Sequence, residues 1–163
     1  MRLLSLLLLL AAVPLSADDH RDVRKFRFAQ RELAILAQRT NINVPRLVAP
    51  GRDRADRVSA WVEEDPENAG RFVVYLPPVG YAQADRWTQF DMAHETCHVL
   101  RDGSQGLLKR GLKFSADWLK ANELETDDCA MSLLRTYRGW TWHDAPKQRS
   151  RAGKWAGLLA LIL

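Results

Sequence analysis

The sequence predicts a small α+β domain, with an N-terminal helix, a short sheet containing a β-hairpin, and two long helices after it. Three observations carry this. At 163 residues, 47% apolar and 27% charged, the chain suffices for one core and leaves no room for a second. A run of β-branched and aromatic residues between residues 58 and 76 is flanked by segments of helical periodicity. Turn formers separate these segments at every junction. Ordinary apolar content with 9% aromatic residues argues against disorder, and nine glycines and seven prolines argue against low complexity. No apolar run reaches the roughly 18 residues that span a bilayer.

Residues 1–17 read as a secretory signal peptide. Met1-Arg2 is a short positive start, Leu3 to Val13 an apolar run too short for an anchor, and Pro14-Leu15-Ser16-Ala17 a small-residue end. Cleavage is expected between Ala17 and Asp18, giving an exported protein, periplasmic or extracellular. Residues 18–146 form the expected domain and 147–163 a basic, then apolar, tail. Arg2 leaves with the leader, so the formal charge falls from +4 to +3, which is no argument for a nucleic-acid partner.

The first helix is expected from Phe26 to Gln38, with Phe26, Leu33, Leu36 and Ala37 on one face and Arg31, Glu32 and Gln38 on the other. Asn41-Ile42-Asn43 breaks it, and Val44 to Val48 suits a short strand. Val58–Glu63 and Arg71–Leu76, joined by Asp65-Pro66-Glu67-Asn68-Ala69-Gly70, make a hairpin. Pro77-Pro78 stops its second strand. That second strand, Phe72 to Leu76, is either a buried strand or an edge along which a peptide lies. The next helix runs from Asp85, a good N-cap, to Gly103. Ser104–Phe114 reads as a loop, and a last helix runs from Ser115 to about Tyr137.

The helix beginning at Asp85 contains His94-Glu95-Thr96-Cys97-His98, an H-E-x-x-H pattern. At 100° per residue the two imidazoles lie about 40° apart, so both reach one ion, with Glu95 beside them. Zinc suits such a site, since imidazole binds it well and an open position can hold an activated water. The histidines flank the apolar face formed by Phe90, Ala93, Cys97 and Leu100. Buried imidazoles need partners, and a metal satisfies both.

A third ligand is expected on the following helix, in Asn122-Glu123-Leu124-Glu125-Thr126-Asp127-Asp128. Periodicity places Glu123 and Asp127 on or beside the arc of Leu119, Ala130, Leu133, Leu134 and Tyr137. Glu125 and Asp128 fall on the polar arc with Ser132 and Arg135. Glu123 is therefore the candidate ligand, and Asp127 the acceptor that orients a ligating histidine.

His94-Glu95-x-x-His98 followed by Glu123-x-x-x-Asp127 resembles the gluzincin metallopeptidases, the thermolysin-like clan. The order of elements also looks like small, zincin-like domains with a reduced sheet. The resemblance implies one Zn²⁺ held by His94, His98 and Glu123, Glu95 as general base, and a peptide or protein substrate. Two departures stand out: Thr126 where many relatives carry alanine, and Cys97 within the motif. Tyr137 and His143 are candidate donors to an oxyanion.

Cys97 and Cys129 read either as a disulfide, given export, or as two buried thiols. Lys147-Gln148-Arg149-Ser150-Arg151 and the apolar Trp155–Leu163 suit a membrane-surface contact, or more simply a tail packed on its own domain. Two alternatives to a peptidase remain at this point. One is a non-catalytic, zinc-stabilised protein-binding module, and the other a metal-free domain with a chance motif.

Overall fold

The structure is a computed structural model that describes residues 17–55, 57, 59–102, 116–141 and 143–144. The expected leader, the loop 104–114 and the tail 147–163 lie outside the described residues, apart from Ala17. In order, the elements are α1 (Ala17–Thr40), β1 (Arg46–Val48), a 3-10 turn (Arg52–Arg54), β2 (Trp61–Glu64), β3 (Phe72–Tyr75), α2 (Pro78–Tyr81), α3 (Asp85–Asp102) and α4 (Ala116–Arg138). Among the described residues this is an α+β domain with four α-helices and one mixed sheet.

The sheet order is β1-β3-β2. The expected hairpin is present, with β2 antiparallel to β3 and Trp61 opposite Tyr75. Their rings stack at 4.9 Å. The Asp65 carboxylate closes the turn by accepting from the Glu67 amide at 3.0 Å and the Asn68 side chain at 3.2 Å. Gly70 supplies the positive φ of 77° that the turn needs. β1 joins β3 in parallel, so β3 is the central strand. Of the two readings of Phe72–Leu76, the buried strand is the one found and the edge is not: both sides of β3 are paired, and Val73 and Val74 are fully buried on opposite faces.

α1 ends where expected, with Asn41 at φ 56° and the Ile42 amide donating to the Ala37 carbonyl. Its start lies nine residues before the predicted one. Glu32, assigned by periodicity to the polar face, is instead only 2% exposed. Both its oxygens accept from Arg138 Nη2 at 2.9 and 2.7 Å, tying α1 to the end of α4. Asp85 opens α3, but its carboxylate pairs with Lys25 of α1. Pro77-Pro78 stops β3 and also starts the unanticipated short helix α2, proline being suited to a first helical turn.

α3 is the central helix, packed against α1, α4 and β2. Leu33 and Leu36 of α1, Val74 of β3, Phe90, Met92 and Ala93 of α3, and Ala130, Met131 and Leu134 of α4 form the core. Every residue from Phe90 to Val99 is buried, including Asp91, His94, Glu95, Thr96 and His98. Leu100, expected on the buried face, is 39% exposed. Polar groups buried in such number cost stability unless paired, which makes α3 the place to look for function.

Candidate metal centre

α3 and α4 pack side by side, and their facing turns bring the predicted residues together. His94 and His98, one helical turn apart and each 5% exposed, present their Nε2 atoms 3.0 Å from each other. Glu123 of α4 reaches in from the other side. Its Oε2 lies 3.2 Å from His94 Nε2 and its Oε1 3.4 Å from His98 Nε2. One ligand atom from each of these three residues can be chosen so that all lie within 4.8 Å of one another. Donors held at about 2.0–2.1 Å by a tetrahedral ion stand roughly 3.4 Å apart, so separations of 3.0–3.4 Å are of the size that a small cation such as zinc bridges.

Asp127, one turn beyond Glu123, accepts from His94 Nδ1 at 2.8 Å. That bond fixes the ring and leaves Nε2 directed at the cluster, the usual arrangement behind a ligating histidine. Burial works against a charged His94. The hydrogen bonds of Asp127 and Glu123, with the charges of Glu95 and Glu123, outweigh it and push the ring up to about 10. Glu123 is also opposed by burial, but its bonds to His94 and His98 hold its carboxyl well below the usual carboxylate range. Without an ion, the centre is therefore an imidazolium clasped by two carboxylates.

Glu95 follows His94 directly, is 4% exposed, and adds its charge to the field on that ring. Glu125 and Asp128 are exposed on the far arc, as expected. Both departures from the resembled pattern have a partner here. Cys97 is bonded to Cys129 with a Cα–Cα distance of 6.1 Å, so of the two readings of the cysteines the disulfide is the one found. Helical-wheel angles alone do not aim these sulfurs at each other; the close packing of α3 on α4 does. Thr126 is fully buried, donates to the Asn122 carbonyl at 2.8 Å and accepts from Arg101 Nη1 at 2.9 Å.

Arg101 is the contributor that sequence reasoning misses. From the last turn of α3 it grips α4 through the Asn122 carbonyl at 3.1 Å, Thr126 and Glu125, on both sides of Glu123 in the chain. A lone basic residue at a helix end gives no signal of this, because such residues commonly complement the helix dipole.

Of the two candidate oxyanion donors, Tyr137 is bonded away from the cluster. Tyr137 is fourteen residues beyond Glu123 on the continuous helix α4, about 21 Å along its axis. Its hydroxyl donates to the Arg39 carbonyl of α1 at 3.3 Å, and its ring carries the Arg39 guanidinium. His143 is exposed beside Asp144, whose carboxylate is taken by Arg86 in the first turn of α3. Arg86 precedes His94 by eight residues, about 12 Å of helix. The chain matches no protein-family model, no curated protein and no solved structure.

Proposed function

We propose that this chain is an exported zinc metallopeptidase, periplasmic or extracellular, acting on a peptide or protein substrate. The observation that carries the reading is the convergence of His94, His98 and Glu123, with Asp127 behind His94. His94, His98 and Glu123 would hold the ion, which when bound supplies a Lewis acid and lowers the pKa of a nearby water. Asp127 keeps the His94 Nδ1 proton in place, so the ring offers Nε2 alone. Glu95 accepts the proton of the water that attacks the peptide carbonyl and returns it to the departing nitrogen. Glu95 is itself only 4% exposed, which shields from bulk water the carboxylate that must move the proton.

Elemental analysis together with cleavage of a mixed peptide library tests this, on wild type and Glu95→Gln. The expected result is a single zinc in both proteins, cleavage by wild type, and a loss of about a hundredfold or more in turnover for Glu95→Gln. Zinc retained by both with no cleavage by either identifies a metal-stabilised binding module instead. Absence of zinc from wild type makes the motif a coincidence.

A further inference from the structure

We infer that the Cys97–Cys129 disulfide is a positioning element of the metal centre, so that metal affinity depends on the redox state of this pair. The inference rests on the metal-centre reading above, but not on the peptidase activity. His94 and His98 share one helix, and their spacing follows from the helix itself. Glu123 and Asp127 likewise share α4. What the local structure leaves open is the distance between the two helices. The disulfide crosses that gap, between residues 32 apart in sequence. Cys97 is next to His98, and Cys129 is two residues past Asp127. A zinc ligand must be placed to within about 0.2 Å, a tolerance that helix sliding readily exceeds.

Besides the cluster's own contacts, Arg101 is a further tie close to the site, holding the Asn122 carbonyl and Thr126 without a covalent bond. An opened disulfide therefore leaves the helices adjacent but less closely registered, and the expected loss is partial. Cys97 is fully buried and Cys129 half-buried, so a reductant enters at Cys129 Sγ. A thiolate of a dithiol attacks that sulfur, the S–S bond breaks, and Cys97 leaves as a thiolate that is then protonated. The second thiol of the reductant displaces Cys129 and the reductant departs as a disulfide, two electrons having passed to the protein. In a reducing compartment the centre would thus bind metal weakly. After export, exchange with a disulfide-bearing oxidant runs these steps in reverse, the oxidant taking two electrons and leaving as a dithiol, and would complete the centre.

Zinc affinity measured against a competing chelator, for the oxidised chain and for Cys97→Ala/Cys129→Ala, tests the inference. Far-UV circular dichroism confirms that the variant is helical. The expected result is at least a tenfold weaker affinity in the variant. A second arm needs no variant: wild type is equilibrated in a glutathione redox buffer with and without zinc, and free thiols are counted by alkylation and mass. Linkage is reciprocal, so saturating zinc must shift the equilibrium toward the disulfide by at least tenfold, about 30 mV for this two-electron couple. Equal affinities, or an equilibrium that zinc leaves in place or shifts toward thiols, overturn the disulfide's role and leave the metal centre standing. Failure of the oxidised protein to bind zinc overturns the centre itself, and this inference with it.

Discussion

In the metal-free protein, His94 remains an imidazolium well above neutral pH. The ring is 5% exposed, with Asp127 at 2.8 Å from Nδ1 and Glu123 at 3.2 Å from Nε2. Burial alone would favour the neutral ring, but the two carboxylates prevail and raise it to about 10. At pH 8 an ordinary imidazole is about 3% charged, whereas a ring titrating near 10 is about 99% charged. Long-range proton–nitrogen NMR of chelator-treated protein distinguishes these states directly, and Asp127→Asn should move the transition to lower pH. Zinc requires the neutral ring, so the proton competes with it. Each pH unit below 10 weakens apparent affinity about tenfold, or about 1.4 kcal/mol. Between pH 7 and pH 9 the gain from His94 is therefore about a hundredfold. The sign for folding is opposite. With its folded value above its unfolded one, His94 stabilises the metal-free fold fully below about pH 6.5, and this stabilisation is lost as pH rises through about 10. Glu123 belongs to the same ion pair and is not counted again. A His94 transition near 6.5, or a zinc affinity indifferent to pH, would refute the clasped-imidazolium account.

Replacement of Glu123 by Gln, which keeps the shape but loses the charge, should weaken zinc binding by more than the roughly 10- to 100-fold cost of losing an outer-shell partner; isothermal titration checks it. Arg138→Met strands the Glu32 carboxylate, whose side chain is 3% exposed. The cost should be about 2–3 kcal/mol in urea unfolding, below the range for a fully buried pair because the Arg138 side chain is 32% exposed. Glu32→Gln combined with Arg138→Met should recover part of that loss. Removing the disulfide, which spans 32 residues, should cost about 3–4 kcal/mol from loop-closure entropy. Unfolding midpoints with and without reductant that coincide would contradict this.

How much was legible in the sequence follows from the range over which each interaction acts. Helical spacing is a local property, so His94 and His98 could be paired, and Glu123 and Asp127 separated from Glu125 and Asp128, by counting residues alone. The hairpin was readable for the same reason, since its turn chemistry sits between its strands. Periodicity failed where a distant charge changed the value of burial. Glu32 reads as a surface residue until Arg138, more than a hundred residues away, makes its burial tolerable. Strand order was likewise hidden, because the parallel pairing of β1 with β3 skips over β2 and leaves no mark in either segment. Wheel angles describe directions about one helix axis and say nothing of where the neighbouring axis lies. The sulfurs of Cys97 and Cys129 therefore looked misaligned until α4 was laid against α3. Tyr137 looked available for the site until the length of a continuous helix carried it to the far end of α1. The sequence by itself determined which side chains have metal-binding chemistry and which helical faces carry them. Tertiary structure alone decided the distance and register between those faces, because these depend on packing between segments that no local pattern encodes.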